Sequence, residues 1–236
     1  MTPFVTMTLL VAAVYTASKV AMFRRLPAAR QAAYLLLWPG MDPRPFRESR
    51  PPAGLALMAW GALKMAVGAA LLQARTGVTP VDLLLVMLGT GLLIHFGLCD
   101  VLAGFWRRRG IPVERLFVNP AASRTLAEFW GRRWNLAFRA VAHARIFTPV
   151  KRRWGARWGV AATFAFSGLV HELLLSVPAG GGWGGPTLYF LLHGALVLAE
   201  RRWKIEGRLW TLFWLLAPLP LLFHPPFLRA VLVPLL

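Results

Sequence analysis

Two stretches of the chain carry side chains suited to chemistry: Phe129-Trp-Gly-Arg-Arg-Trp-Asn135, and Ser167-Gly-Leu-Val-His171-Glu172, which lies inside an apolar run. An imidazole can take up a proton and a carboxamide can donate hydrogen bonds. At membrane depth an ionisable group costs several kcal/mol unless it is paired or hydrated, so such residues need a reason to be there. Acyl transfer is the chemistry preferred for them.

The composition says where these residues must work. The 236 residues are 57% hydrophobic and only 15% charged, with a mean hydropathy of +0.55 and a net charge of +18. Lys and Arg cluster between apolar runs of roughly 15 to 25 residues, lengths that suit about 30 Å of hydrocarbon. This is an integral membrane protein. A nucleic-acid binder would instead spread its positive charge over a polar surface, so nucleic acid is not expected as a partner. Cys99 is the only cysteine, which leaves no disulfide framework and no cysteine-based metal site. Its thiol reads as a small packing residue, with a nucleophile as the alternative. Neither metal nor cofactor is expected. The first apolar run, residues 3–22, is too long for a signal peptide core and lacks a basic leader, so it reads as a retained span.

The fold class expected is an all-α polytopic membrane protein: a single membrane-embedded domain over residues 1–236, with about six transmembrane helices and a range of five to eight. The six runs are residues 3–22, 54–72, 81–105, 158–177, 184–199 and 209–223. The tail after Pro225-Pro226 could cross again, and residues 32–38 could dip into one leaflet before Pro39-Gly40. Orientation follows from charge, because Lys and Arg favour cytoplasmic loops. Segments 24–50, 106–157 and 201–208 hold 6, 13 and 4 of these residues, whereas the loops around 73–80 and 178–183 hold only Arg75. Six crossings then leave both termini non-cytoplasmic. Lys19 is near the end of its span and can snorkel, while Lys64 and Asp100 sit deeper and need partners or water. His95, His193 and Glu200 read as helix–helix hydrogen-bonding groups.

Within 106–157, aromatic and basic residues interleave, a pattern suited to the membrane interface. Thr125-Leu-Ala-Glu128 reads as a capping box and Pro149 as a stop, bounding an amphipathic helix of about twenty residues. At 100° per residue Trp130, Trp134, Phe138 and Val141 share one stripe, with Glu128, Arg132, Asn135, Arg139 and His143 opposite. Such a helix could simply lie at the interface with its arginines in water, or its polar face could line a chamber with the span that carries His171. That span enters from the basic side, which puts His171 roughly 20 Å deep at 1.5 Å per residue. Ser167 lies one turn earlier and can orient the imidazole. Glu172 projects about 100° away and could pair with Lys64 or an arginine. A buried histidine that merely bonds between helices is the alternative to a catalytic one.

At these residues the chain resembles the membrane-bound O-acyltransferase superfamily, in particular its wax-synthase-like branch. The matching pieces are Leu37-Trp-Pro-Gly-Met-Asp-Pro-Arg-Pro-Phe46, Ser123 through Asn135, and Phe166-Ser-Gly-Leu-Val-His171-Glu172, in the family's order and spacing. The resemblance implies that His171 is the general base, that Asn135 is its partner, and that a fatty acyl group passes from acyl-CoA to a hydroxyl, often that of a long-chain alcohol. The partners so implied are acyl-CoA, a lipophilic hydroxyl acceptor and membrane lipids. Trp130, Arg132, Arg133, Trp134, Ser167, Glu172 and His143 are the expected substrate-binding residues, with Arg132 or Arg133 first among the arginines for the phosphates of CoA. The chain has fewer spans than typical members, which implies a tunnel without peripheral helices or one completed by an oligomer.

Other readings compete. One is an O-acyltransferase acting on a polysaccharide, a sterol-like or another secondary-metabolite hydroxyl. Another is a transporter in which Lys64, Asp100 and His171 line a polar path, which would call for broken helices in symmetric halves. The last is a non-catalytic scaffold. Arg outnumbers Lys 23 to 4, a composition that points to a bacterial inner membrane.

Overall fold

The computed structural model describes residues 1–236, apart from the Leu235 side chain, and among them there are helices and turns but no strand. The longer elements are α1 (Pro3–Met22), α2 (Ala28–Leu37), α3 (Leu55–Gln73), α4 (Thr79–Arg108), α5 (126–133), α6 (136–154), α7 (Ala156–Ala179), α8 (Gly185–Trp203), α9 (Arg208–Leu222) and α10 (Pro225–Leu232). Four of them, α1, α3, α4 and α7, are long and apolar enough to cross a membrane, and α9 with α10 makes a fifth if that pair, bent by 65°, is one span. The protein is thus all-α and polytopic. The fifth expected run is helical as α8, but its 19 residues include His193, Glu200, Arg201 and Arg202, and it falls outside that set. The tail forms α10, too short to cross by itself, and a 3-10 turn over Val233–Leu235.

The chain divides into two compact units, one of residues 1–18, 119–134 and 138–235, the other of residues 19–118, 135–137 and 236. In the second unit α3 and α4 meet along glycines. A Cβ on Gly61 would lie 2.7 Å from the Val101 nitrogen, and one on Gly68 2.6 Å from that of Leu93. Small residues allow backbones to approach this closely, which is how helices associate where lipid removes the hydrophobic drive. From the cap of α3 onward glycines recur every seven residues, at 54, 61 and 68, whereas on α4 Gly89 and Gly97 are eight apart and Gly97 and Gly104 seven. The π-type turns over Gly91–Leu98 absorb the extra residue and keep the contact face in line.

Two buried charges in this unit find partners. Lys19, 3% exposed, donates to the carbonyls of Tyr34, Trp38 and Gly40 at 2.8, 2.6 and 2.7 Å. Snorkelling is therefore replaced by a cap on the C-terminus of α2, where the last carbonyls would otherwise be unsatisfied. The segment Leu37 to Phe46 wraps around that ammonium, with Tyr34 and Trp106 edge-on to Phe46 at 5.7 and 5.5 Å. Asp100 takes Lys64 at 2.5 Å and a bidentate Arg115 at 2.8 Å on each oxygen.

The first unit packs α7 against α8 around Phe164, Tyr189, Phe190 and Val197. Gly168 rests on the Thr187 backbone, and Gly194 on the Phe164 ring.

The single amphipathic helix expected over about twenty residues is broken. After α5 the chain is extended at Trp134 (φ −110°, ψ 129°) and left-handed at Asn135 (φ 41°) before α6 begins. Asparagine tolerates that conformation better than other residues with a Cβ. Trp134 N closes α5 by donating to the Phe129 carbonyl, and Leu136 N turns away to the Leu116 carbonyl. The stripe Trp130–Trp134–Phe138–Val141 and the polar face opposite it are consequently not continuous.

Candidate active site

His171 ends the regular part of α7, and Glu172–Ser176 follow as wide π-type turns before Pro178. Pro178 has no N–H to return to the preceding turn, a common cause of such local rewinding. π-type turns inside helices occur often at functional sites. The imidazole is half-buried, 4.3 Å from the Phe190 ring and 6.3 Å from that of Phe138, which itself stacks on Phe166. Its Nδ1 lies 2.7 Å from the Ser167 carbonyl oxygen. A carbonyl only accepts, so Nδ1 carries the proton in this bond, and in the neutral ring Nε2 is left with a free lone pair. Ser167 does orient the imidazole, but through its backbone.

Glu172 does not pair with Lys64 or an arginine. One of its oxygens accepts from Gly184 N at 2.8 Å, and the other from Thr187 N at 3.2 Å and Thr187 Oγ1 at 2.8 Å. It caps the N-terminus of α8, where free N–H groups and the helix dipole favour a carboxylate. Residue 171 is thereby tied to the helix that supplies Phe190.

A second carboxylate works the same way. Glu200, 4% exposed on α8, accepts from Leu126 N at 2.7 Å, Ala127 N at 3.1 Å and Trp210 Nε1 at 3.0 Å. Thr125 Oγ1 takes Glu128 N at 2.9 Å, as the capping box requires, but Glu128 reaches back to Arg124 N at 2.8 Å rather than to Thr125. The Arg124 N–H first, and the Arg133 guanidinium after it, hold the Glu128 carboxyl below the usual carboxylate range.

With α5 so anchored, Trp130 lies within ring contact of Phe164, Phe190 and His193, while Trp134 stacks on Phe129 at 5.3 Å. Arg133 is engaged inside the fold, by Glu128 at 2.7 Å and the Asn119 carbonyl at 3.3 Å. Arg132 is exposed. His143 is exposed as well and stacks on Phe147 at 5.0 Å, outside the ring cluster of His171. Asn135 belongs to the other unit, at the left-handed break.

The unit's remaining histidines are tied to neighbouring helices. His193 donates from Nε2 to the Trp214 carbonyl at 2.9 Å. His224 accepts from Phe227 N at Nδ1, so its Nε2 is the donor to Ser176 Oγ, both bonds being 3.2 Å. Of the three rings that frame His171, Phe138 enters the sequence reading only as part of an apolar stripe and Phe166 only as the start of a motif, while Phe190 carries no signal there because phenylalanines in apolar runs are the rule.

No curated protein and no solved structure matches the chain. Residues 113–192, about a third of the chain, match the membrane bound O-acyl transferase family, and this stretch holds Trp130, Asn135, His171 and Glu172 but not the Leu37–Phe46 segment. The match supports the membrane-bound O-acyltransferase family, and with it O-acyl transfer in general.

Proposed function

We propose that the protein is an acyl-CoA-dependent O-acyltransferase of a bacterial inner membrane that esterifies the hydroxyl of a long-chain alcohol, with His171 as general base and Asn135 as its partner. The observation that carries this reading is the His171–Ser167 bond. It holds the ring by Nδ1 and leaves Nε2 free to take a proton, in the stretch that matches the O-acyl transfer family. In the reaction Nε2 accepts the alcohol proton as the oxygen attacks the thioester carbonyl. The Asn135 amide donates to the tetrahedral oxyanion or positions the thioester. The carbon–sulfur bond then breaks, and the CoA thiolate leaves and recovers the proton from the imidazolium. Apolar helices suit an acyl chain and a lipophilic acceptor, and exposed Arg132 with Lys151, Arg152 and Arg153 suits the phosphates of CoA. Arg133 is a weaker candidate for that role, because Glu128 already holds it.

The test is release of free CoA thiol by purified protein in detergent given palmitoyl-CoA, with and without hexadecanol, beside His171→Ala. Alcohol-dependent release lost in the variant is expected. Full activity in His171→Ala would remove the mechanism, and release only with a polysaccharide or sterol-like acceptor would replace the alcohol.

A further inference from the structure

Among the described residues three buried side-chain polar atoms have no hydrogen-bond partner: Trp130 Nε1, His193 Nδ1 and Trp214 Nε1. Two of them belong to rings in contact, those of Trp130 and His193. His193 is 0% exposed, its ring centroid is 5.5 Å from that of Trp130, and its Nε2–H is spent on the carbonyl of Trp214 itself. A buried polar group left unsatisfied is destabilising, and in native proteins each such group calls for an explanation.

The protein supplies no remedy nearby. The other rings around Trp130 are Phe129, Phe164 and Phe190, and the phenol of Tyr189, whose ring abuts His193, donates to the Leu215 carbonyl. What is missing is chemically specific. An indole N–H can only donate, and Nδ1 of an imidazole whose proton is on Nε2 can only accept. A carboxylate, phosphate or ester carbonyl would satisfy the indole and face Nδ1 with a second lone pair. An ammonium would do the reverse. A hydroxyl oxygen does both, and one oxygen about 2.9 Å from each nitrogen can link two groups whose rings are in contact.

We infer that Trp130 and His193 hold a hydroxyl oxygen between them, Trp130 Nε1–H donating to it and His193 Nδ1 accepting from it. Phe190 contacts both Trp130 and His171, so one ring stands between this oxygen's holders and the candidate base, and the oxygen is separate from the one that His171 would deprotonate. It is either a second hydroxyl of the acceptor or a resident water. The substrate version rests on the acyltransferase reading and deepens it: the acceptor would be a diol or polyol rather than a simple alcohol. The water version stands whatever the reaction.

The experiment uses the full-length protein in detergent with ¹⁵N-labelled histidine, the His193 signal being assigned by its loss in His193→Leu. The state of Nδ1 is read alone, with hexadecanol and with 1,2-hexadecanediol, beside the preference for diol over hexadecanol in acyl transfer from palmitoyl-CoA. A hydrogen-bonded Nδ1 without any acceptor, reverting to a free acceptor in Trp130→Phe, identifies the water. An Nδ1 that becomes bonded only with the diol, together with a diol preference (ratio of kcat/KM values) that falls about tenfold in Trp130→Phe, identifies the acceptor's hydroxyl. Should Trp130→Phe fail to fold, His193→Gln, which keeps one donor and one acceptor, is expected to retain the preference that His193→Leu loses. A free Nδ1 under all three conditions, with the preference unchanged in these variants, overturns the inference. Absence of all acyl transfer would sink the reading of the reaction while leaving the nitrogen signal to decide this one.

Discussion

His171 stands apart from the other histidines of its unit by combining an oriented ring, an open nitrogen and partial exposure. His224 uses both nitrogens and His193, open at Nδ1, is fully buried, whereas His171 is half-buried, oriented through Nδ1 and open at Nε2. Loss of a general base typically costs 10²–10⁴ in rate, and His171→Ala is expected to fall in that range in the thiol-release assay. Ser167→Ala retains the backbone carbonyl that holds the ring, so its loss of turnover should be far smaller. An equal loss in both variants would assign the orienting role to the Ser167 hydroxyl instead. The sequence placed Ser167 one turn from His171, since helical spacing is local, but could not say whether the side chain or the backbone makes the bond. Nor could it show that Glu172, adjacent to the histidine, is turned toward the start of the next helix.

Elements here are located by buried charge and by glycine. Asp100 balances two cations, and Asp100→Asn would leave Lys64 and Arg115 with no counter-charge; breaking such a buried group typically costs about 3–5 kcal/mol, readable as a lower Tm in detergent. Gly61→Ala is expected to lower Tm by forcing α3 and α4 apart, because its Cβ would meet backbone rather than a yielding side chain. Glu128 adds a pH dependence. Its carboxyl is held below the usual range in the folded protein, so the stabilisation is complete above the unfolded value of about 4.3 and is lost as pH falls through the lower folded value. Glu128→Gln should flatten that acid limb of Tm against pH, and an unchanged limb would assign the loss to other carboxylates. The long apolar helices were legible as hydropathy runs. The break at Trp134–Asn135 was not, because the helical pattern of Trp130, Trp134 and Phe138 continues across it, and what interrupts it is the Leu116 carbonyl drawing Leu136 N.

At the scale of the whole molecule, charge asymmetry and hydropathy make the prediction. Segments 24–50, 106–157 and 201–208 should face the cytoplasm, so a cysteine introduced at Arg152 should react with an impermeant maleimide only when the cytoplasmic side is open. Labelling from outside intact cells would invert the orientation. The sequence by itself determined that this is an all-α membrane protein, and that His171 is set within an apolar run in a pattern resembling O-acyltransferases. Those properties are additive along the chain or confined to a few adjacent residues. Only the tertiary structure decided which polar groups are already spent. Glu200 reaches back 74 residues to Leu126, Lys64 and Asp100 meet across 36, and His193 finds the Trp214 carbonyl 21 residues away. No local pattern records such pairings, because each exists only once separate helices have packed and the buried groups have found the partners that water no longer provides.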